Sequence, residues 1–190
     1  MNEAARARVQ PDLRLVVVLV VALLAGLLAL LLLDPSNVDD SSKSGSEVPT
    51  GVPVTRSPDE LRGLARAVGH PVYWAGPQPG FKQEVTVTPD GRIYLRYLPP
   101  EVPAGDVRLG YTFVGTYPQR NALATVRRAL RRRGASPVRV GGGGLGVTSS
   151  RLPQIVYVAY PGSDYLVEVY DRSARRAREI VSSGQLMPVQ

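Results

Sequence analysis

Residues 155–170 read IVYVAYPGSDYLVEVY, two runs of Val, Ile, Tyr and Leu on either side of Pro161-Gly162-Ser163-Asp164. β-branched and aromatic residues favour strands, whereas Pro, Gly, Ser and Asp in succession favour a tight turn. The stretch therefore predicts a β-hairpin, and the segments around it indicate what the hairpin pairs with.

Strand patterns recur before this hairpin. Val85 and Val87 alternate with polar residues, a Pro89-Asp90-Gly91 turn follows, and alternation resumes from Ile93 to Tyr97. This pattern predicts a second hairpin. Further strands are predicted over 109–117, 137–140 and 145–148, the last two joined by four glycines.

Three helices are predicted between and after the strands. Ser57-Pro58-Asp59-Glu60 has the form of a capping box, and Gly69 is expected to end the helix that it begins. A second helix is predicted over 118–133, and a third from Asp171, as its N-cap, to about Ser183. The inward-facing residues would be Leu123, Val126 and Leu130 in the second helix and Ala174, Ala177, Ile180 and Val181 in the third. The prediction is an α+β domain with a mainly antiparallel sheet and about three helices packed on one face.

The stretch HPVYWAGPQPGF, residues 70–81, holds the only histidine and the only tryptophan of the chain. Because proline disfavours a helical predecessor, we expect an extended backbone here and a short strand over 72–75 that enters the sheet. Strand alternation would then point Tyr73 and Trp74 to opposite faces, one into the core and the other onto a binding surface.

The N-terminal quarter has a different composition. Residues 1–14 are a charged head, and residues 15–33 (LVVVLVVALLAGLLALLLL) are an unbroken apolar run. Nineteen residues span roughly 30 Å as a helix, which fits a bilayer and exceeds the apolar core of most cleavable signal peptides. The sequence therefore predicts a single-pass signal anchor in preference to a signal peptide. Residues 34–57, rich in Ser, Pro, Asp and Gly, are predicted to form a flexible linker to a domain over 58–190.

The charges around the apolar run predict its orientation. Arg6, Arg8 and Arg14 precede it, whereas acidic residues with one lysine follow it. By the positive-inside rule the N-terminus is expected in the cytoplasm and the C-terminal domain outside it, at the cell membrane.

Several kinds of chemistry are disfavoured by composition. The chain has no cysteine and one histidine, so a zinc site or a thiol nucleophile is not expected, and no metal or cofactor is predicted. The run Gly141–Gly144 lacks the Lys-Ser or Lys-Thr of a phosphate-binding loop and is expected to be a turn. A hydrolase would have to use His70 as its base, and nothing in the sequence assigns it a nucleophile. Among the acidic residues, only Glu168 lies mid-strand without a capping or turn role, facing either solvent or a cleft.

Arginine is the strongest functional signal. From Pro58 onwards, 18 basic residues oppose 10 acidic ones, a formal charge of +8. The candidate binding residues are Arg127, Arg128, Arg131 and Arg132 of the second helix, together with the aromatic residues Tyr73 and Trp74. Such a surface attracts anionic lipid, cell-wall polymers or an acidic protein, or else it is only a solvated helix face.

The runs HPVYWAGPQPGF, PDGRIYLRYLPP, VGTYP and AYPGSDYLVEVYD resemble those of a family of actinobacterial-type single-pass membrane proteins. The resemblance covers most of residues 57–190 and implies an anchor followed by a similar domain. It implies no activity.

Together these features predict a membrane-anchored extracytoplasmic binding module for an anionic envelope component or a membrane protein partner, and favour a binding role over an enzymatic one. Two alternatives stay open at this point. One is an extracytoplasmic hydrolase-like enzyme that uses His70, and the other is a cytoplasm-facing basic domain that binds nucleic acid.

Overall fold

The computed structural model describes residues 50–189, which contain ten strands and three helices in this part of the chain. The helices are α1 (Pro58–Val68), α2 (Ala122–Leu130) and α3 (Ala174–Ser182). The strands are β1 (Val54–Arg56), β2 (Tyr73–Trp74), β3 (Lys82–Val87), β4 (Ile93–Leu98), β5 (Phe113–Pro118), β6 (Ala135–Arg139), β7 (Leu145–Ser149), β8 (Leu152–Ala159), β9 (Tyr165–Tyr170) and β10 (Met187–Pro188).

Eight strands form one sheet in the order β1-β3-β4-β5-β9-β8-β7-β6, and every neighbouring pair is antiparallel. Both predicted hairpins are present: Val87 pairs with Ile93 in the first and Ala159 with Leu166 in the second. The glycine run joins β6 to β7 as a short 3-10 turn in which Gly142 and Gly143 have positive φ. The α+β class with three helices and a mainly antiparallel sheet is therefore confirmed.

The helices cover both faces of the sheet, so the prediction of helices on one face is wrong. α1 and α3 pack on a core that contains Val85, Leu95 and Val167. α2 packs on the opposite face, in a second core that contains Tyr117, Tyr157 and Leu166. We call these the α1/α3 face and the α2 face. Because both are buried, consecutive strand residues are apolar on both sides, as in IVYVAY.

The helix boundaries follow local capping chemistry. In α1, Ser57 N–H donates to Glu60 Oε2 at 2.7 Å and Glu60 N–H to Ser57 Oγ at 3.3 Å, and Gly69 ends the helix with φ of 68°. These contacts confirm the predicted capping box. The N-cap of α3 is Ser173, which accepts from Arg176 N–H, so the prediction of Asp171 is wrong by two residues.

Asp171 instead accepts hydrogen bonds from Ser173 N–H and Thr112 Oγ1. The second helix is shorter than the predicted 118–133, and the arginines at 131–133 lie in the turn after it. Its buried side is formed by Ala122, Thr125, Val126 and Ala129.

The stretch 70–81 does not enter the main sheet. β2 pairs with β10 at the C-terminal end, with Tyr73 opposite Pro188 and Trp74 opposite Met187. The resulting two-stranded sheet lies in the α1/α3 core, where Tyr73 N–H donates to Thr116 Oγ1 at 3.0 Å.

The predicted head, transmembrane helix and most of the linker fall within residues 1–49, outside the described residues. Among residues 50–189 no helix is long and apolar enough to cross a membrane.

Candidate functional site

An acidic side chain, Glu168, lies among apolar and aromatic residues in the middle of the α2 face. The backbone register aligns Tyr94 of β4, Gly115 of β5, Glu168 of β9 and Tyr157 of β8 in one row across the sheet. Because side chains alternate along each strand, the Glu168 carboxyl points to the same face as both tyrosines. Glu168 therefore projects from a strand that is paired on both sides, with β5 and with β8.

Glu168 is 2% exposed. Its Oε2 accepts a hydrogen bond of 2.6 Å from the Tyr117 hydroxyl, and no described cation forms an ion pair with it. Burial disfavours the charged carboxylate and raises the pKa of Glu168 to about 7, although the bond from Tyr117 lowers it. The carboxyl can therefore take up or release a proton near neutral pH.

The glycine next to Glu168 makes this contact sterically feasible. A Cβ on Gly115 would lie 2.5 Å from the Tyr117 hydroxyl oxygen and 2.9 Å from the Phe113 ring. Since Cβ atoms do not tolerate such distances, only glycine lets the Tyr117 ring lie over β5 and reach across to β9. Burial, followed by the nearby charge of Glu168, raises the pKa of Tyr117, which keeps its hydroxyl a donor.

A second row of side chains on the α2 face binds the loop that covers this face. Glu84 of β3 lies opposite Arg96 of β4, and Arg96 Nε donates to Glu84 Oε1 at 2.6 Å. Glu84 Oε2 also accepts from Gly105 N–H, and Arg96 Nη1 donates to the carbonyl of Asp106 at 2.7 Å. The buried ion pair thus fixes the loop over residues 99–112 to the sheet.

The loop and the sheet enclose a cavity of about 200 Å³. Its polar wall contains Glu84, Arg96 and Glu168, and its remaining lining is mostly apolar and aromatic. The apolar part includes Val107, Leu109, Phe113, Leu152 and Ile155. Leu109 of the loop is 66% exposed at this wall. The arrangement is suited to holding a small molecule against the Glu168 carboxyl, the lining carboxyl that has no ion pair among the described residues.

A second candidate feature, which we call the arginine cluster, lies at the end of α2. Its members are exposed and form no described ion pair: Arg127, Arg128, Arg131, Arg132, Arg133 and Arg151. Ser150 N–H donates to the Gly134 carbonyl at 2.8 Å, which brings the β7–β8 turn beside the end of α2. The four predicted arginines therefore share one surface.

The structure separates the other predicted residues from this surface. Tyr73 and Trp74 are 6% and 8% exposed in the α1/α3 core, so the prediction that one of them is exposed is wrong. Tyr73 stacks on Tyr160 with ring centroids 5.5 Å apart. Protein covers both sides of β2, so neither of these two side chains faces water.

His70 lies away from both candidate features. Its ring stacks on Tyr165 at 5.0 Å, and Nδ1 lies 3.0 Å from the Pro71 carbonyl oxygen. Among residues 50–189, the hydrogen-bond and ring contacts of His70 include no serine or aspartate. In the same part of the chain, no three metal-ligating side chains lie close enough together to hold an ion.

Sequence reasoning missed Glu84, Arg96 and Tyr117. The hairpin register contains the signal for the ion pair, because a turn centred on Asp90 places residue 84 opposite residue 96. The pattern over 109–117 predicts only a strand at Tyr117, because its bond to Glu168, 51 residues away in sequence, depends on the pairing of β5 with β9.

Comparisons with protein families, with curated protein sequences and with solved structures find no significant match to this chain. The resemblance to actinobacterial-type single-pass proteins stays a prediction, and the functional inference has to come from the geometry.

Proposed function

We propose that this chain is a membrane-anchored extracytoplasmic binding module whose arginine cluster binds an anionic polymer of the cell envelope. The observation that carries the proposal is the arrangement of exposed arginines around the end of α2, without described carboxylate partners. The membrane anchor and its orientation are inferred from the sequence pattern alone.

The distribution of charge supports a dedicated surface. Residues 107–163 contain nine arginines and no aspartate or glutamate. α1 carries Asp59 and Glu60 and α3 carries Glu179, whereas α2 carries no acidic residue. A solvated helix face usually mixes both signs, so the one-sided charge of α2 favours an external anion.

The chemistry of arginine narrows the class of partner. Its planar guanidinium donates two parallel hydrogen bonds to a phosphate or carboxylate group. The helix dipole accounts for basic residues in the last turn of α2, such as Arg127 and Arg128. It does not require the further arginines at 131–133 and 151, which suit a repeated anion.

The position of the cluster favours a polymer over lipid headgroups. The predicted linker leads into β1 at one edge of the sheet, and α2 packs on strands at the opposite edge. Seven strand spacings of about 4.8 Å separate those edges by roughly 34 Å. The cluster therefore lies near the sheet edge opposite the one at which the chain enters the domain.

Binding to defined polyanions tests the proposal. The full-length chain in non-ionic detergent should bind long-chain polyphosphate or polygalacturonate, and phosphatidylglycerol mixed into the micelles should not displace the polymer. Replacing Arg128, Arg131 and Arg132 with glutamine should remove most of this binding. A matched variant neutralises three exposed arginines on the other face, Arg66, Arg175 and Arg178, and should retain it.

Equal losses in the two triple variants would contradict a dedicated cluster and indicate an effect of net charge alone. Displacement of the polymer by phosphatidylglycerol in the micelles would refute the polymer in favour of the membrane surface. A reporter enzyme fused after Gln190 tests the topology: activity that requires export supports an extracytoplasmic domain. Activity confined to the cytoplasm would refute it and leave the nucleic-acid alternative.

A further inference from the structure

The cavity on the α2 face contains a carboxyl group that its surroundings leave unpaired. Three acidic side chains line the cavity. Glu84 is paired with Arg96 at 2.6 Å, and Asp106 is paired with Arg108 at 2.9 Å. Among the described residues, Glu168 hydrogen-bonds only to the Tyr117 hydroxyl. A buried carboxylate without a cation is costly, so this position either stays protonated or receives a positive group from outside.

No element packed around Glu168 supplies that positive group. The titratable side chains that face it are hydroxyls: Tyr94 from β4, Tyr117 from β5 and Tyr157 from β8. The two arginines that line the cavity are Arg96 and Arg108, and each has a carboxylate partner. Within residues 50–189, the counter-ion of an ionised Glu168 is therefore missing.

The rest of the cavity has the character of an apolar pocket. Phe113, Leu152 and Ile155 contribute the sheet side, while Val107 and Leu109 contribute the loop side. Leu109 and Val107 are 66% and 41% exposed, so a ligand that removes their apolar surface from water would bind with a favourable hydrophobic free energy. A ligand that covers these walls would be mostly hydrocarbon, with a polar group that reaches Glu168.

We propose that this cavity binds a small apolar amine, whose ammonium group is held by Glu168 and whose hydrocarbon part lies between the 99–112 loop and the sheet. A cavity of about 150 Å³ holds a benzene ring, so a volume of about 200 Å³ suits a ring with a short aminoalkyl chain. An anionic ligand is disfavoured because it would lie against Glu168. The site is separate from the arginine cluster, which lines no part of the cavity.

The amine is distinguished from other ligands by a matched set of probes: 2-phenylethylamine, 2-phenylethanol and 3-phenylpropionate. The full-length chain in detergent is titrated with each probe at about pH 8, and calorimetry measures the affinity. The amine should bind at least about tenfold more tightly than the alcohol, since hydrogen bonds to charged groups are the stronger ones. The carboxylate should not bind.

The pH dependence gives a second readout. Burial raises the pKa of Glu168 to about 7, whereas 2-phenylethylamine stays protonated throughout the range. Lowering the pH from about 8 to about 5 protonates the carboxyl and should weaken amine binding by at least about tenfold. Binding of the alcohol should not change.

Two variants and a control complete the experiment. Glu168→Gln should reduce the affinity for the amine to that for the alcohol, and Leu152→Trp, which fills the cavity, should abolish binding of both. Glu179→Gln, an exposed carboxyl on α3, should leave all affinities unchanged. Should Glu168→Gln fail to fold, the three-probe comparison and the Leu152 variant decide the question in its place. Equal affinities for amine and alcohol, amine binding that survives Glu168→Gln, or no saturable binding at millimolar concentration would overturn the proposal.

Discussion

Replacing Glu168 with glutamine should make the protein more stable at alkaline pH and change its stability little at acidic pH. Glutamine keeps the size of the side chain, and its carbonyl oxygen can still accept the hydrogen bond from Tyr117. What it removes is the ionisable group that is buried without a cation. The substitution therefore isolates the energetic effect of the buried carboxylate.

The magnitude follows from the pKa in the folded and unfolded chains. The pKa of Glu168 is about 7 in the native state and 4.5 as a free side chain. The native state holds the proton of Glu168 more tightly than the unfolded chain does. The stabilisation that this carboxyl contributes is therefore complete below pH 4.5 and falls as the pH rises towards 7. At about 1.4 kcal/mol per pH unit, the loss reaches about 3 kcal/mol and stays constant at higher pH.

Chemical unfolding of the wild type and the variant at about pH 5 and pH 8 measures this effect. The free energy of unfolding of Glu168→Gln should exceed that of the wild type by about 1–3 kcal/mol at pH 8 and by much less at pH 5, because the wild-type carboxyl is largely protonated there. Glu179→Gln controls for removing an exposed carboxylate and should show no such pH-dependent difference. Identical pH profiles for the wild type and Glu168→Gln would refute the reasoning.

Three other substitutions and one control test individual contacts of the fold, each by the free energy of unfolding. Gly115→Ala should destabilise the fold by about 1–3 kcal/mol, because its Cβ would overlap the Tyr117 hydroxyl. As a control, Gly63→Ala in α1, where a Cβ meets no atom within 4 Å, should stabilise the fold by about 0.5–1 kcal/mol. Equal effects of the two substitutions would contradict the steric argument. Tyr97→Phe should lower stability by about 1–3 kcal/mol, since Ala75 N–H would lose its buried acceptor; a change within error would show that water replaces it. Ser57→Ala should lower stability by about 1 kcal/mol through loss of the capping box, and an unchanged value would mean that the capping box contributes nothing measurable.

The elements that the sequence predicted correctly are those with local signals. The two hairpins have turn sequences between β-branched runs, and α1 has a cap whose two hydrogen bonds lie within four residues. The cap of α3 was misplaced because Asp171 and Ser173 are equally good capping residues and only the fold assigns Asp171 to Thr112.

The errors concern packing between distant segments. The apolar run IVYVAY contains the evidence that both sheet faces are covered, since a one-sided sheet would alternate more strictly. Tyr73 and Trp74 are both buried because β2 lies between the main sheet and the C-terminal strand, so alternation places neither in water.

The candidate cavity was only partly accessible to sequence reasoning. Glu168 stands out as a charge in an apolar strand, but the direction of its side chain depends on the register with β5 and β8. The cavity wall over 99–112 has no periodicity, and its position depends on Glu84 and Arg96. The arginines of α2 were recognised because exposure of a charged helix face follows from the apolar stripe opposite it.

The salt dependence of polyphosphate binding tests the proposed function most directly. Each phosphate neutralised on a flexible polyanion contributes about −0.7 to the slope of log K against log salt concentration. Neutralising Arg128, Arg131 and Arg132 should therefore reduce the magnitude of the slope by about 2, whereas neutralising Arg66, Arg175 and Arg178 should change it by much less than 1. Equal slopes for the two triple variants would contradict the assignment of polyanion binding to the arginine cluster.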